Sequence, residues 1–209
     1  MKNLRDIELK DMKKLLEDMG EKPFRAKQLY TWLHQNLVTD VDEMTNLSKS
    51  LREKLRASYS VALPETVEVL TSKIDGTKKF IFRMQDGHVI ESVWMEYQHG
   101  HSVCISSQVG CRMGCKFCAS TLDGLARNLT SGEMLGQIYQ IQRTTGVRVD
   151  NIVIMGSGEP LDNYDEFTRF IRMISDENGL HISRRNITVS TCGLVPRIRQ
   201  LADENAGIT

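Results

Sequence analysis

The sequence of 209 residues lacks both a long hydrophobic run and an excess of charge of one sign. No apolar segment approaches the roughly 20 residues of a membrane-spanning helix, and the N-terminus lacks the apolar block of a signal peptide. We therefore expect a cytoplasmic protein with no membrane partner. Because 27 Lys and Arg residues balance 27 Asp and Glu residues, the overall charge gives no basic signature of nucleic-acid binding.

Cysteine is scarce, but three of the five cysteines are crowded into one loop. Cys111, Cys115 and Cys118 follow the spacing C-x3-C-x2-C, and Gly110 and Gly114 allow this loop to bend. In a reducing compartment such crowding indicates metal or redox chemistry rather than a disulfide framework. Three thiolates can hold three irons of a 4Fe–4S cluster, which normally has four cysteine ligands. One iron would then keep an open position for chemistry.

Simpler interpretations of this loop stay open. A structural zinc site lacks an obvious fourth ligand, although Cys104, seven residues upstream, could supply one to zinc or to a ferredoxin-like cluster. That role is awkward because Cys104 lies within a predicted strand. His99 and His101 could also bind a metal, but incidental loop histidines are the simpler interpretation. Cys192 is interpreted as a buried thiol without a catalytic part.

The first part of the chain, residues 1–60, has the pattern of a helical accessory domain. Apolar residues recur at helical spacing over residues 8–19. Pro23 is suited to the start of a second helix that runs to about Leu37. Ser48 can cap a third helix.

Two further regions follow. Residues 61–100 predict a small antiparallel β meander, with turns at Asp-Gly pairs. Residues 101–209 alternate strand and helix, which predicts an α/β fold of about three parallel βα units. The pattern predicts the start of a fourth strand at residues 206–209, and three units alone leave an exposed parallel edge. We therefore expect an incomplete, C-terminally truncated barrel.

Longer strings resemble the RlmN/Cfr family of RNA methyltransferases, within the radical S-adenosylmethionine (SAM) superfamily. They include C-x3-C-x2-C with an aromatic residue before the last cysteine. The other matching segments are residues 105–121, 127–130, 155–163, 190–196 and, in the helical unit, 23–30. The resemblance implies a partial (β/α) radical-SAM barrel, here the N-terminal half of the core, that uses a 4Fe–4S cluster and SAM.

The resemblance also assigns roles to individual residues. Cys111, Cys115 and Cys118 would hold the cluster, whose open iron would bind the amino and carboxylate groups of SAM. The pair Gly158-Glu159 follows an apolar strand at its C-terminal end, where α/β folds bind ligands, and Ser190 ends the next strand. These three residues are expected to contact SAM, although a plain βα turn and a capping hydroxyl are their simpler interpretations.

Two catalytic residues are carried over in the same way. Cys104 would attack the sulfur of a protein–RNA adduct and release the methylated base as a disulfide forms. Glu91 would be a proton acceptor. Taken alone, Cys104 would more often be a small core residue, and a strand glutamate normally faces solvent.

The implied reaction is methylation of carbon 2 of adenine in 23S rRNA and tRNA. The partners would be those RNAs and an electron donor such as flavodoxin or ferredoxin, and the full-length protein would be a monomer. A carbon-8 methyltransferase of the Cfr type and a non-catalytic metal-binding RNA module are the alternatives. The family's methyl-carrying cysteine has no counterpart here, so residues 1–209 alone are expected to be inactive. The loop cations Arg112, Lys116 and Arg127 could contact phosphate, but ordinary solvated cations are the simpler interpretation.

Overall fold

The computed structural model describes residues 1–98 and 100–209, so the interpretation of His99 lies outside the described residues. The N-terminal unit has two short parallel strands, β1 and β2, and three helices. These elements are β1 (Lys2–Asn3), α1 (Leu9–Asp18), α2 (Phe24–His34), α3 (Lys49–Ser58) and β2 (Tyr59–Ser60). The predicted cap of α3 is confirmed, because the Ser48 hydroxyl accepts the Leu51 amide at 3.2 Å. The second helix ends three residues before the predicted Leu37.

One six-stranded sheet dominates the rest of the chain. Its strands are β3 (Glu65–Thr71), β4 (Lys78–Arg83), β5 (Val89–Tyr97), β6 (Gly100–Cys104), β9 (Asn151–Ile154) and β10 (Ile187–Val189). The spatial order is β10-β9-β6-β5-β4-β3. Strands β3 to β6 pair antiparallel, whereas β6, β9 and β10 are parallel. The predicted meander is therefore continuous with the parallel core. The division into domains at residues 60 and 100 stays a prediction.

Each parallel strand is followed by a helix further along the chain. These helices are α4 (Ser131–Thr145), α5 (Tyr164–Ile174) and α6 (Val195–Asp203). The three predicted βα units are thus present, and the described strands form an open sheet that does not close into a barrel. Thr209 exchanges two backbone hydrogen bonds with β10, to Ile187 at 3.0 Å and from Val189 at 2.8 Å. Thr209 therefore lies beside the edge strand, although residues 206–209, where a fourth strand is predicted, form no strand.

The two faces of the sheet differ in how deeply their side chains are buried. Val103, Ile152 and Ile187 face the helices and are fully buried. The alternate residues Cys104 and Val153 are only half-buried and share the opposite face, because they are cross-strand partners. Successive strand residues point to opposite faces, so the second face is more open than the first where β6 and β9 pair. No helix among the described residues is long and apolar enough to cross a membrane.

A buried polar junction joins the helical unit to the core. The Asp6 carboxylate accepts the Gly132 amide at the start of α4, at 2.8 Å. The fully buried Arg5 donates to the carbonyls of Val38 and Val61. His34 Nδ1 lies 2.8 Å from the Tyr139 hydroxyl. These bonds satisfy polar groups that would otherwise be buried in the apolar interface without a hydrogen-bond partner.

The buried histidine makes stability depend on pH. Burial, helped by the charge of Arg5, lowers the pKa of His34 well below its usual value. The unfolded state therefore binds a proton that the folded state excludes. We expect the free energy of unfolding to be highest above about pH 6.5 and to fall by about 1 kcal/mol between about pH 7 and pH 5.5 because of this residue. Urea titrations at both pH values measure the loss.

A His34→Gln variant should lose this part of the pH dependence, while the exposed His181→Gln variant should keep it. An unchanged slope in His34→Gln would show that the junction does not hold the histidine neutral.

Candidate functional site: a three-cysteine cavity at the rim of the sheet

A short hairpin that the sequence analysis missed presents the three-cysteine loop. Its strands are β7 (Gln108–Gly110) and β8 (Leu125–Asn128). The Cys111 amide donates to the Gly124 carbonyl at 2.9 Å, which closes the base of the loop. Gly110 has φ +73°, and a Cβ there would lie 2.0 Å from that carbonyl oxygen. The close approach therefore requires glycine. Strands of three and four residues are too short to leave a periodic signal.

The loop after β9 forms the opposite wall. Gly158 has φ +102°, and an added Cβ would lie 2.7 Å from the Gln108 amide nitrogen and 2.5 Å from the Gln108 Cβ. Glu159 is buried, and its amide donates to Gln108 Oε1 at 2.8 Å. Its carboxylate accepts the amides of Leu161 at 2.9 Å and Cys192 at 2.7 Å. Glu159 thus joins the loops after β9 and β10.

Six of the predicted site residues line one cavity of about 220 Å³. They are Cys111, Cys115, Cys118, Gly158, Glu159 and Ser190. Met113, Phe117, Met155 and Cys192 are among the other residues of the wall. Thiols therefore face a carboxylate and a hydroxyl across a space at the carboxyl ends of the parallel strands, where α/β folds bind ligands.

The donor set fits an iron–sulfur cluster better than a single ion. All five cysteines are free of disulfides. Among the described residues, no three His, Cys, Asp or Glu side chains are already gathered around a point where one metal ion would bind. In a cluster each cysteine binds a different iron, so the three thiols need not converge on one point. The arrangement of the thiols is therefore compatible with a cluster.

The two predicted catalytic residues lie outside this cavity, on the open face of the sheet. Cys104 pairs with Val93 of β5, and Glu91 lies two residues from Val93, so both side chains share that face. Burial raises the pKa of the Cys104 thiol. The Glu91 carboxylate is 57% exposed and forms an ion pair with Lys79 Nζ at 3.0 Å. Cys104 is therefore part of the open face and not a core residue.

A carboxylate clamp fixes the cysteine loop against the wall formed after β9. Asp162 accepts from Arg112 Nε at 2.9 Å and Nη2 at 2.5 Å, and from Gln108 Nε2 at 3.0 Å. Burial opposes ionisation of Asp162, but these donors together hold its pKa below the ordinary value. The sequence gives no signal for this clamp, because Arg112 and Asp162 are 50 residues apart along the chain.

Removing the charge of the clamp should loosen the loop. We expect Asp162→Asn to lower the free energy of unfolding by about 1 kcal/mol, since Arg112 is largely exposed and solvent screens the pair. Urea unfolding at neutral pH measures this change. The matched control is Asp123→Asn, an exposed carboxylate in the same loop, which should change stability by less than about 0.5 kcal/mol. Equal effects of the two variants would argue against the clamp.

Two of the loop cations form ion pairs with other residues of the protein. Arg112 is held by Asp162. Arg127 donates to Asp86 and to both oxygens of Glu133, the latter at 2.7 and 2.8 Å. The expectation of an ordinary solvated cation is therefore wrong for Arg127, which is ion-paired and only 28% exposed, whereas Arg112 is ion-paired but stays 62% exposed.

Cys192 also departs from expectation. The sequence analysis placed it as a buried thiol, but the side chain is exposed and lines the cavity. Its backbone position is set by the bond from its amide to Glu159. The next helix begins at Val195, so the segment 190–194 is a loop at the rim of the sheet, where the thiol is exposed.

An open α/β sheet with a three-cysteine loop at its carboxyl rim defines a partial radical SAM domain. The model of the radical SAM superfamily matches residues 105–207, and the model of the ribosomal RNA large subunit methyltransferase N-terminal domain matches residues 2–61. A solved radical SAM methyltransferase from Sphaerobacter thermophilus superposes with a TM-score of 0.93 at 39% identity, over 100% of this chain and 62% of that one.

Two curated relatives carry the description "Probable dual-specificity RNA methyltransferase RlmN". The protein from Lachnoclostridium phytofermentans is 60% identical over 99% of this chain and 58% of its own length. The protein from Lachnospira eligens is 54% identical over 100% of this chain and 60% of its own length. The chain belongs to the RlmN family of radical SAM proteins. It spans about 60% of the length of the relatives that it matches.

Radical SAM proteins use a 4Fe–4S cluster and SAM, and the cavity fits both. Three thiols on one wall can serve as cluster ligands. The facing wall carries a glycine that permits close backbone approach, a buried carboxylate and an exposed hydroxyl. These are groups that can bind the polar end of an amino-acid-like molecule.

Proposed function

We propose that the protein containing this chain is a radical SAM methyltransferase that modifies carbon 2 of adenine in 23S rRNA and tRNA. The observation that carries the proposal is the meeting of the three-cysteine loop with Gly158, Glu159 and Ser190 around one cavity. The names of the relatives and their identity of 54% or more support the choice of reaction.

Different residues of the cavity would bind the cluster and SAM. When bound, the cluster supplies the electron that cleaves SAM to a 5′-deoxyadenosyl radical. Cys111, Cys115 and Cys118 would bind three irons. Glu159 accepts one amide on each carboxylate oxygen, and each oxygen has a second lone-pair position that can accept from an ammonium group. Ser190 would donate its hydroxyl to a polar group of SAM.

Cys104 and Glu91 would act on the open face, beside the cavity. Because burial raises the pKa of Cys104, the thiol is protonated at rest and is protected from premature reaction. Its role would be to attack a sulfur of the protein–RNA adduct and release the methylated base. The Glu91 carboxylate, held over the same face by Lys79, would accept a proton from the substrate.

Mapping the methyl group on adenine tests the reaction. The full-length protein, reconstituted anaerobically with iron and sulfide and supplied with SAM, a reductant and 23S rRNA, should give 2-methyladenosine by mass spectrometry. Methylation at carbon 8 would instead support the Cfr-type alternative, against which the sequence Gly158-Glu159-Pro160 argues. A protein that binds zinc and does not respond to SAM would support the non-catalytic module and overturn the proposal.

The role of Cys104 predicts a stalled reaction. Cys104→Ala should keep the cluster and the cleavage of SAM, because Cys104 lies outside the cavity, but should lower release of methylated RNA by at least about 100-fold. A protein–RNA adduct should accumulate and be visible on a denaturing gel. Normal product release from Cys104→Ala would contradict the assignment. Cys192→Ala, which changes a thiol on the cavity wall, should not accumulate the adduct.

We further propose that a small redox protein such as flavodoxin or ferredoxin supplies the electron, and that the full-length protein is a monomer. The exposed face of the cysteine loop, with Phe117 and Leu122 each more than 80% exposed, supports the approach of such a donor. Electron transfer needs only a short path to the cluster, and weak redox encounters use small surfaces.

A further inference from the structure

Four of the five cysteines of the chain meet at the candidate cavity. Cys192 lines it together with Cys111, Cys115 and Cys118. The fourth thiol comes from a separate part of the chain, the loop after β10, and is 74 residues beyond Cys118. Sequence spacing therefore gives no indication that it belongs with the other three.

The position of the Cys192 side chain is specific. The Cys192 side chain is exposed and lines the same cavity as Cys111, Cys115 and Glu159. Its amide donates to Glu159 Oε2 at 2.7 Å, which fixes the loop. Glu159 is the acceptor that we assign to the ammonium group of SAM. The thiol and the amino-acid end of SAM would therefore compete for the same space.

This competition would decide which group completes the ligands of the cluster. Clusters of the 4Fe–4S type normally have four thiolate ligands, and the loop supplies three. An iron with an open position takes a further ligand from its surroundings. In this cavity the nearest thiol outside the loop is Cys192, since Cys104 lies on the open face of the sheet.

We propose that Cys192 is an exchangeable fourth ligand, which binds the open iron while SAM is absent and is displaced when SAM binds. This inference rests on the proposed function, because it requires the cluster. The exchange is a substitution of one ligand by another, in which the thiol loses a proton to solvent on binding iron and regains one on release. No electron is transferred.

The test compares the anaerobically reconstituted protein with its Cys192→Ala variant. Without SAM, the EPR spectrum of the reduced cluster should differ between the two, because one iron has a different ligand. At saturating SAM the spectra should be the same. The SAM concentration for half-maximal spectral change should be several-fold lower in Cys192→Ala, because the competing ligand is gone. A residue that merely supported the fold would weaken SAM binding instead.

A second measurement follows the rate at which the cluster loses the iron that has the open position. With mild oxidant and no SAM, Cys192→Ala should convert its cluster to the 3Fe–4S form several-fold faster than the parent protein. Saturating SAM should remove the difference. Thr191→Ala is the matched control, since Thr191 lines the same cavity without a thiol, and it should follow the parent protein in both measurements.

The outcomes separate this inference from the proposed function. Identical spectra and iron-loss rates for the parent and Cys192→Ala proteins, each with a full cluster that responds to SAM, would overturn the inference alone. A parent protein that assembles no 4Fe–4S cluster would overturn both.

Discussion

A Cys115→Ala protein is expected to lose its cluster. Cys115 is one of three ligands that the loop offers, and without it one iron of the cluster loses the thiolate that holds it to the loop. After anaerobic reconstitution, iron and sulfide content should fall to background, and the visible absorption of the cluster should disappear. Even loss of groups that only support metal ligands lowers metal affinity about 10- to 100-fold, so loss of a ligand should exceed that range.

The control for this experiment is another cysteine of the same cavity. Cys192→Ala leaves the three loop ligands in place and should retain about four irons per chain. Equal cluster content in Cys115→Ala and the parent protein would contradict the assignment of the loop. Stoichiometric zinc in the parent protein, lost in Cys115→Ala, would instead restore the structural zinc interpretation.

The second large effect is expected from a single methyl group at Gly158. An alanine Cβ would lie 2.5 Å from the Gln108 Cβ and 2.7 Å from the Gln108 amide nitrogen. The loop must then move away from β7, which breaks the bond from the Glu159 amide to Gln108. We expect Gly158→Ala to lower the free energy of unfolding by about 3 to 5 kcal/mol, from backbone strain and overpacking together. The response of the cluster EPR signal to SAM should be lost.

Gly193 provides a control with almost the same backbone angle. Its φ is +100°, close to the +102° of Gly158, but nothing lies within 4 Å of an added Cβ. Gly193→Ala should therefore lower the free energy of unfolding by about 1 to 2 kcal/mol, from backbone strain alone. Its cluster EPR signal should still respond to SAM. If both variants lost the same free energy of unfolding, close packing against Gln108 would not be what requires glycine at position 158.

Much of the fold could be predicted because its signals are local. The spacing of Met134, Leu135, Ile138 and Ile141 predicts a helix over residues 131–145, and α4 has these bounds, with the Thr130 hydroxyl and the Glu133 carboxylate forming a reciprocal cap. The apolar run at residues 151–155 predicts a strand covered on both faces. The strand forms over Asn151–Ile154, but its burial alternates, so the expected cover on the second face is wrong. The hairpin β7–β8 escaped prediction, because its short strands are held by tertiary contacts to Gly124 and not by periodicity.

The candidate site was predictable in composition but not in arrangement. Motif strings indicated Cys111, Cys115, Cys118, Gly158, Glu159 and Ser190, and the structure brings these six around one cavity. Nothing in those strings indicated that Asp162 would clamp Arg112, or that Cys192 would face Glu159. The two residues of each pair are tens of residues apart along the chain, so they come into contact only when the sheet has formed.

The sequence by itself determined the chemistry of the chain. The spacing of three cysteines predicts the ligands of a cluster, and the alternation of strands and helices sets the α/β class. The tertiary structure alone decided which residues share a cavity and which share the open face. The physical reason is that parallel pairing places the ends of β6, β9 and β10 at one edge. Side-chain alternation then leaves Cys104 and Glu91 on the uncovered face.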